Sequence, residues 1–566
     1  MTQRRKQILL GNLNINDNLN WLPYSSGCLM WYAKRIPEIN AKYEFKNPIY
    51  QLYHDVGNYA NNLKGVDILG LTNYVWNQKS NDKLAQLYKV INPKGTVIFG
   101  GPNIPENSRQ KMNYDTHRPW VDVSLPGLGE IAFSEWLLNK PFSNEKLKEV
   151  PTPYSDGIFD DMIRNTNGML RASIETNRGC PYSCSFCDWG AMTRAKIIQF
   201  DIDDVKKQLD WLYKQPNMEQ FDIIDANYGV FKRDIDIIEY IIECQNREEN
   251  PINITMSGLA KNGSKHLPTI LDLLAKASVP TLGDGMKFLK DGFGENVKQQ
   301  SISYNKGWSE TASGGAQESM IKLSFQTHTA EVLKVAQRDN IKNDKLRPLI
   351  DSYRKRNQPI MSEMIIALPG ETALSWLDTL HYNYHALDIE YVRPHILFIL
   401  PNTALDDPEY QKKYKIKTKK IRFGNTITIP NEETPQFGRA HREDVSEYEI
   451  VRSCYSYDVE EVVKMFDYNW FYYNLINTDL FRHKLKSTKL DTLKFFRYLD
   501  RMPFFKKLLE RQRAGVRKIW EDTEYTNINS KEEMYFLTTQ VRFRDDQIIK
   551  NNKKEAEKLL DKYVWN

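Results

Sequence analysis

Cysteine is scarce in this sequence, with six residues in a chain of 566. Six cysteines could staple a small secreted domain, but clustered cysteines in a large chain more often bind metal or carry out chemistry. Cys28, Cys244 and Cys454 stand alone, and we interpret each as a small buried apolar residue. The other three share one short loop, which makes that loop the first candidate for a functional site.

Long apolar runs are also missing. No stretch approaches about 18 consecutive apolar residues, so we predict no transmembrane helix and no membrane partner. The N-terminal "MTQRRKQILLGNLNIN" is basic and then briefly apolar, but it is too short for a signal peptide and lacks a cleavage site. We interpret it as a first β-strand and expect a cytoplasmic protein.

A large excess of charge of one sign is absent, because the formal net charge is only +5. The composition therefore gives no general indication of nucleic-acid binding, and we do not expect nucleic acid as a partner. One local basic run, "KKYKIKTKKIRF" at 412–423, stands out. We favour a solvated surface segment there, with an anionic substrate or nucleic acid as the alternative.

Short apolar runs that alternate with helical stretches fill residues 1–140. Buried strands alternating with helices predict an α/β, doubly wound, Rossmann-like domain with a parallel sheet. Ligands of such sheets lie beyond the carboxyl ends of the strands. Those ends read "GNLNIN", "TNYVWN", "GGPN" and "GLGE".

A second β/α series follows a predicted linker, 141–168, that is rich in proline, lysine and glutamate. Six strand candidates between 169 and 425 predict a partial (β/α)6 barrel of the TIM type. The stretch 283–319 is rich in glycine and serine, and we interpret it as an inserted loop with a substrate lid as its candidate function. Residues 426–566 repeat apolar and aromatic residues at helical spacing, which predicts a mainly helical C-terminal region.

The clustered cysteines are Cys180, Cys184 and Cys187, in the spacing C-x3-C-x2-C. Gly179 and Pro181 keep the segment out of a regular helix at its start. Thiolates suit iron–sulfur clusters, and a closed cluster or structural zinc site needs four ligands. No fourth cysteine is near and no histidine lies between 118 and 265, so one iron would stay open for chemistry. Three core cysteines placed by chance, or zinc completed by a distant residue, are the alternatives.

The loop "RGCPYSCSFC" resembles the cluster loop of radical S-adenosylmethionine (AdoMet) enzymes. The resemblance implies a [4Fe–4S] cluster on Cys180, Cys184 and Cys187, with AdoMet bound at the open iron. Reductive cleavage of AdoMet would then give a 5′-deoxyadenosyl radical that takes a hydrogen atom from the substrate.

Four downstream segments resemble further parts of that family: "DANY" (225–228), "LSFQTHTAEVLKVAQR" (323–338), "IIALPGET" (365–372) and "FILPNTAL" (398–405). The family's usual Gly-Gly-Glu segment is absent, and "D-x-N" takes its place. By this resemblance, the predicted AdoMet-binding residues are Phe186, Asp225, Asn227, Ser257, Ser324, Gln326 and Leu368.

The first domain resembles the cobalamin-binding domain that precedes the barrel in one large subgroup, through "VDILGLTNYVWN", "VIFGGPNIP" and "VDVSLPGLGE". "CDWG" after the cluster is typical of that subgroup too. The cobalamin-binding residues implied are Asn12, Thr72, Asn73, Gly100, Gly101, Gly127 and Glu130. A sheet that has lost cobalamin is the alternative.

His54, in "HDVG", is the nearest match to a cobalt-ligating D-x-H-x-x-G motif. Position 52 is leucine rather than aspartate, and the segment precedes the strand "VDILGL" instead of following the first strand. We interpret His54 as an ordinary helix residue. Methylases of this subgroup commonly bind cobalamin without a protein histidine.

The resemblance implies a cobalamin-dependent C-methyltransferase that acts on an unactivated carbon of a small-molecule or peptide substrate. It also implies a reductase or flavodoxin-type electron donor. A radical AdoMet cyclase, epimerase or rearranging enzyme is one alternative, and a non-catalytic cobalamin or redox sensor is another. A methylthiotransferase would need three more cysteines in the first domain, where only Cys28 occurs.

Overall fold

The computed structural model describes residues 4–14, 20–51, 55–143, 147, 150–166, 168–191, 197–250, 252–256, 264–276, 321–355, 360–389, 391–423, 447–476, 491–521, 523–528, 548–549, 552, 554, 557–558 and 561. The predicted insert 283–319, the predicted AdoMet residue Ser257 and His54 all lie outside these residues. Among the described helices, none combines the length and apolar character that crossing a lipid bilayer requires.

The N-terminal part contains a sheet in which every neighbouring pair of strands is parallel. Its order is β3-β1-β5-β6-β7, with β4 beside the carboxyl half of β1. The strands are β1 Lys6–Asn14, β3 Tyr43–Phe45, β4 Ile49–Gln51, β5 Ile68–Thr72, β6 Thr96–Gly100 and β7 Val123–Ser124. The chain runs to opposite sides of β1, so the carboxyl ends of β1 and β5 flank the switch point of the sheet.

Helices cover both faces of this sheet. They are α1 Tyr24–Lys34, α2 Pro37–Lys42, α3 Ala60–Leu63, α4 Gln78–Ile91, α5 Ser108–Thr116 and α6 Gly129–Leu137. Because side chains alternate along a strand, Leu9 joins the core under α4 whereas Ile8 and Leu10 join the core under α1 and α6. Two separate cores on one sheet are what a doubly wound domain requires.

Six parallel β/α strands form the central barrel, in two hydrogen-bonded groups. The strands are β8 Leu170–Ile174, β11 Met218–Ile223, β12 Asn253–Met256, β13 Ile321–Gln326, β14 Ile360–Ile366 and β15 Tyr391–Ile396. Short strands β9 Asn177–Arg178 and β10 Ile198–Gln199 pair with each other above β8. This arrangement positions the loops at the carboxyl ends of the strands around one opening.

The first helix of the barrel precedes its first strand, and the other helices follow its strands. They are α7 Asp160–Arg164, α8 Asp188–Ala191, α9 Ile202–Tyr213, α10 Arg233–Glu248, α11 Leu267–Lys276, α12 Ala330–Val335, α13 Asn343–Lys355, α14 Ala373–His381 and α15 Pro408–Lys413. Local sequence explains several starts: Asp201 caps α9, and Thr372 with Ser375 forms a capping box that begins α14 directly after the Pro-Gly-Glu turn.

The two parts are joined by more than a linker. Strand β2, Asn20–Trp21, leaves the N-terminal part and pairs in parallel with β8 of the barrel. Within the predicted linker 141–168, Tyr154 is buried in the barrel core and its hydroxyl donates to the Ser173 carbonyl at 2.7 Å. The segment around Tyr154 is therefore part of the barrel's packing.

A four-stranded mixed sheet, in the order β16-β18-β17-β19, follows the barrel. The strands are β16 Phe398–Ile399, β17 Lys417–Phe423, β18 Tyr448–Ser453 and β19 Tyr525–Ile528. The sheet carries helices α16 Val459–Phe471, α17 Thr492–Arg501 and α18 Pro503–Trp520. Because β17 and β18 pair across the predicted boundary at 425, the sheet does not follow that division of the chain.

The basic run 412–423 covers the end of α15 and all of β17. Lys419, in its middle, is buried, and its ammonium donates to the Glu521 carbonyl at 2.9 Å and to the Thr523 hydroxyl at 2.8 Å. Our prediction of a solvated segment therefore fits the exposed lysines of the run but not this strand residue.

Candidate functional site

The cysteine loop lies directly above β8, at the carboxyl edge of the barrel. Gly179 has a φ of 102°, a conformation that glycine adopts without the steric cost of a side chain. Cys180 and Cys184 are buried, and Cys187 is partly exposed. The loop turns back at its end, where the Cys187 amide donates to the Cys184 carbonyl at 3.0 Å.

Two side chains from other barrel segments donate hydrogen bonds to cysteine sulfurs. The Asn227 amide lies 3.0 Å from the Cys180 sulfur, and an Arg338 guanidinium nitrogen lies 3.6 Å from the Cys184 sulfur. A positive charge and an amide dipole at this position offset the negative charge that thiolates bring. Such donors also tune the potential of a bound cluster.

Asp225 fixes the start of the loop. Its carboxylate accepts from the Thr176 amide at 2.8 Å, from the Asn177 side-chain amide at 2.7 Å and from the Thr176 hydroxyl. Burial raises the pKa of Asp225 to about 7, against the lowering effect of these donors. Asp225, a predicted AdoMet residue, thus positions the start of the cysteine loop, whereas Asn227 donates directly to a cysteine sulfur.

Backbone hydrogen bonds fix the far end of the loop to two other segments. The Ser185 amide donates to the Ala336 carbonyl at 2.9 Å, and the Leu405 amide donates to the Ser185 carbonyl at 2.9 Å. Ala336 follows α12, and Leu405 belongs to the "PNTAL" segment. The structure therefore brings three of the segments identified in the sequence into direct contact with the cysteine loop.

The remaining predicted AdoMet residues lie around the same opening. Phe186 is partly buried against the barrel core, Leu368 is buried, and Ser324 and Gln326 end β13. Gln326 has a φ of 66° and Ala367, beside Leu368, has a φ of 63°. Residues other than glycine rarely hold this conformation, and they cluster at functional sites when they do.

A polar row crosses the barrel interior below this opening, and we predicted only its first member, Ser324, as a site residue. The Ser324 hydroxyl donates to Glu363 at 2.9 Å, and the second oxygen of Glu363 lies 3.8 Å from Nε2 of His395. The Ser324 carbonyl accepts from Arg338, which links the row to the cysteine loop. The sequence pattern that could have predicted Glu363 and His395 is the alternation of side chains along β14 and β15, which places both residues on the inward face.

The predicted cobalamin residues lie at the carboxyl edge of the N-terminal sheet. Thr72 ends β5 and Gly100 ends β6. The buried Asn73 bonds internally, with its amide donating to the Gly100 carbonyl at 2.7 Å and its side chain donating to the Leu71 carbonyl at 3.1 Å. Gly101 has a φ of 94° and packs against the Asn73 backbone. These contacts shape the edge.

Other members of this set leave room at the edge. The side-chain oxygen of Asn12 is buried and has no hydrogen-bond partner among the described residues. A methyl group added at Gly127 would meet no atom within 4 Å. An unsatisfied buried acceptor at the topological switch point, and open space farther along the same carboxyl edge after β7, fit a bound cofactor.

Glu130 connects the two halves of the site. It lies in the first turn of α6 of the N-terminal part, and its carboxylate lies 2.9 Å from a guanidinium nitrogen of Arg178 in the cysteine loop. Arg178 also binds Glu175 at 2.6 Å. A role for Glu130 in binding cobalamin stays a prediction.

A second connection runs through Asn402, which has a φ of 66°. Its side-chain amide donates to the carbonyls of Pro102 at 3.1 Å and Ile104 at 2.9 Å, and its oxygen accepts from the Glu106 amide at 2.7 Å. The loop after β6 is thereby fixed to the segment that contacts Ser185. The carboxyl edges of the sheet and of the barrel thus share one boundary.

The described residues contain no group of three His, Cys, Asp or Glu side chains that converges on a single metal ion. In a [4Fe–4S] cluster each cysteine sulfur binds a different iron. Three cysteines on one loop, with hydrogen-bond donors to the sulfurs of Cys180 and Cys184, are a donor set of the kind that cluster requires.

Comparisons with known proteins agree on one class. The chain is 28% identical over 429 residues to the cobalamin-dependent radical SAM methyltransferase TokK of Streptomyces tokunonensis, covering 70% of this chain and 56% of that protein. It is equally similar, with the same shares, to the 2-(S-pantetheinyl)-carbapenam-3-carboxylate methyltransferase of Streptantibioticus cattleyicolor. The match thus spans little more than half the length of these curated relatives. No family model matches the chain.

Solved structures show the same fold. The radical SAM methyltransferase TsrM of Kitasatospora setae, solved with cobalamin and a [4Fe–4S] cluster, superimposes with a TM-score of 0.52 at 13% identity. That match covers 98% of this chain and 100% of TsrM. These findings confirm the predicted fold class and the resemblance to radical AdoMet enzymes with an N-terminal cobalamin-binding-type domain. Both of these curated relatives are methyltransferases, and TokK is a cobalamin-dependent radical SAM enzyme.

Proposed function

We propose that this protein is a cobalamin-dependent radical AdoMet methyltransferase that methylates an unactivated carbon of a small molecule. The observation that supports it most is the meeting of two carboxyl edges at one loop. The cysteine loop receives donors from Asn227 and Arg338 on the barrel side and an ion pair from Glu130 on the side of the N-terminal sheet.

Cys180, Cys184 and Cys187 would hold a [4Fe–4S] cluster, and the edge around Asn12, Thr72 and Gly127 would hold cobalamin. When bound, these groups supply reductive cleavage of AdoMet and a carrier for a methyl group. The residues of the chain set the positions of these groups and of the substrate.

The chain's own residues have three tasks in this proposal. Asn227 and Arg338 hold two of the cysteine sulfurs in place through hydrogen bonds. The left-handed residues Gln326 and Ala367 shape the rim above the interior, where AdoMet would lie. Glu363 and His395 face the interior below that rim and would orient a polar substrate against it. Enclosure by the barrel keeps water from a reactive carbon centre.

The names of two related proteins state what those proteins bind or act on, but those molecules do not carry over to this chain. One acts on a carbapenam carboxylate, and a TsrM structure contains tryptophan. Both are small molecules with a carboxylate and a nitrogen. For this chain we therefore propose a small-molecule substrate of mixed polarity, which is what an interior lined by Glu363 and His395 would accept. A reductase or flavodoxin-type protein would supply the electron.

The test begins with protein expressed with cobalamin available and purified without oxygen. We expect about one corrinoid and one [4Fe–4S] cluster per chain, by chromatography and by iron and sulfide analysis. Addition of AdoMet to the reduced protein should change the electron paramagnetic resonance spectrum of the cluster. It should also release 5′-deoxyadenosine slowly in the absence of substrate.

A Cys184→Ala variant is the matched control, because it should keep the corrinoid and lose AdoMet cleavage. A cluster with no corrinoid would instead favour the cyclase or epimerase alternative. AdoMet that binds and is never cleaved would favour the sensor. Failure of the wild-type protein to hold any cluster would overturn all three.

A further inference from the structure

Four exposed lysines form a positively charged surface at the end of α15 and the start of β17: Lys412, Lys413, Lys415 and Lys417. We call this group the lysine surface. Among the residues that the structure describes, none of the four has a carboxylate within ion-pair distance. Lys413 instead lies 4.9 Å over the ring of Tyr414.

The segment that leads into the lysine surface is hydrogen-bonded to the cysteine loop. Leu405, just before α15, donates its amide to the carbonyl of Ser185, which lies next to Cys184. Tyr410 of α15 places its hydroxyl 2.6 Å from the Val335 carbonyl, one residue from the Ala336 carbonyl that accepts from the Ser185 amide. The helix whose end carries the lysines is thus linked to the cysteine loop through Leu405, and to the end of α12 that also bonds to that loop through Tyr410.

Aromatic packing makes this attachment rigid. The ring of Tyr410 lies 4.7 Å from that of Tyr414, which lies 5.9 Å from that of Tyr455. The Tyr455 amide donates to the Tyr414 carbonyl at 3.0 Å. Tyr455 itself is 43% exposed, so the row ends at the solvent beside the lysines.

Acidic and basic residues lie at opposite ends of α15. Asp407 caps its first turn by accepting from the amides of Glu409 and Tyr410, and Glu409 follows in that turn. The lysines gather at the opposite end, where the helix dipole is negative and favours cations. The acidic end and the basic end therefore present different surfaces to a partner.

We infer that the lysine surface docks the acidic one-electron donor protein that reduces the cluster. This inference rests on the proposed function, since it needs the cluster at Cys180, Cys184 and Cys187. One electron leaves the reduced cofactor of the donor and enters the cluster, and no atom is transferred. Lysines that have no carboxylate in ion-pair distance within the described part of the chain, on a rigid support, suit an acidic protein, because complementary charge speeds encounter and sets orientation.

Nucleic acid would also be attracted to lysines, but contact with the cysteine loop favours the electron donor. A ligand bound for its phosphates would gain nothing from that contact. A donor must come close to the cluster, and Cys187 is the partly exposed cysteine of the loop.

The test uses the full-length, cluster-loaded protein and a reduced flavodoxin as the probe. The double variant Lys412→Glu, Lys415→Glu changes charge without touching the Tyr414 contact of Lys413. Stopped-flow absorbance at low salt should show flavodoxin-driven cluster reduction roughly ten-fold slower than in wild type. The difference should shrink in about 1 M salt, where the screening length is only about 3 Å.

The matched control is Lys42→Glu, Lys140→Glu, which makes the same change in net charge. Both control lysines are exposed on the N-terminal part: Lys42 ends α2, and Lys140 lies three residues after α6. Photoreduction by neutral deazaflavin should reduce all three proteins at one rate, which separates docking from the cluster itself.

Equal flavodoxin rates for the two double variants would overturn the assignment of this surface. A variant slow with deazaflavin as well would show damage to the cluster and would also overturn it. Retention of a short RNA by wild type and its loss in the lysine variant, with unchanged flavodoxin rates, would reassign the surface to nucleic acid. Absence of a cluster in wild type, seen before any donor is added, would instead be a failure of the proposed function.

Discussion

Arg178 of the cysteine loop donates to Glu130 of helix α6 at 2.9 Å, across the boundary between the barrel and the N-terminal sheet. The Arg178 side chain is 16% exposed and that of Glu130 is 7% exposed, so the pair is largely shielded from water. Glu175, at 2.6 Å, adds a second carboxylate. This geometry fixes the relative position of the two surfaces that would hold the cluster and the cobalamin.

Replacement of Arg178 by methionine should destabilise the protein by about 3–5 kcal/mol, because two carboxylates would stay buried without a cation. The expected result is a lower unfolding midpoint in denaturant, together with reduced corrinoid retention. The control is Arg4→Met, since the 69% exposed Arg4 side chain pairs with Asp67 at 3.6 Å and should contribute below about 1 kcal/mol. Equal midpoints for the two variants would contradict this account.

The cysteine assignment predicts a sharp division among the six cysteines. Cys180→Ala, Cys184→Ala and Cys187→Ala should each reduce iron from about four per chain to near none after anaerobic reconstitution. Cys244→Ala is the control, because Cys244 is buried in the barrel core away from the loop and should leave iron unchanged. Iron and sulfide analysis measures both, and full iron in any loop variant would remove that residue from the ligand set.

The features that depend on residues close together in the sequence were predictable from it. Spacing identified the cysteine loop, and apolar periodicity identified the strands of both sheets. The "LPGET" turn belongs to the site because of Glu371. The buried carboxylate of Glu371 accepts hydrogen bonds from the hydroxyls of Thr327 and Thr329, which fixes this turn to the end of β13. Burial raises the pKa of Glu371 above its ordinary value.

What the sequence did not reveal depends on contacts between distant segments. Asn402 and Pro102 are separated by 300 positions, and no local pattern indicates that they bond. Glu363 and His395 are strand residues whose inward direction is predictable, but their pairing requires the register of β14 with β15. The basic run 412–423 was ambiguous because its middle becomes a paired strand in which Lys419 is buried.

Gly101 should be sensitive to the smallest side chain. An added methyl group would lie 2.8 Å from the Asn73 carbonyl oxygen and 2.9 Å from its nitrogen, and backbone atoms cannot move aside easily. Its φ of 94° adds strain for any other residue. Gly101→Ala should therefore cost roughly 1–3 kcal/mol and reduce corrinoid retention several-fold, because Asn73 and Thr72 are displaced.

The comparison for Gly101 is Gly127→Ala. Gly127 has a φ of 82°, but a methyl group there meets nothing within 4 Å, so only the conformational cost of about 1 kcal/mol applies. Thermal unfolding of the two variants compares these costs; corrinoid content is not compared, because a methyl group at Gly127 would enter the open space proposed for cobalamin. A Gly101→Ala protein as stable as Gly127→Ala would show that the edge is less rigid than its hydrogen bonds indicate.

His328 should make the protein acid-sensitive. Its ring packs 4.7 Å from the rings of Phe325 and Tyr382, and burial lowers its pKa from 6.5 to about 4. A lowered pKa means that the folded state binds the proton less well than the unfolded chain. Above pH 6.5 the ring is neutral in both states and does not lower the free energy of unfolding. As the pH decreases from 6.5 towards 4, the free energy of unfolding falls by up to roughly 3 kcal/mol.

His328→Phe keeps the aromatic packing and removes the proton, so the variant should lose less thermal stability than wild type between pH 7 and pH 4.5. Thermal unfolding of the metal-free proteins across this range measures the difference. His117→Asn is the control, because the exposed His117 ring makes only a local contact with the Asn113 carbonyl. If wild type and His328→Phe lost stability in parallel, the acid sensitivity would have to come from other buried groups, because this histidine would then titrate alike in the folded and unfolded chain.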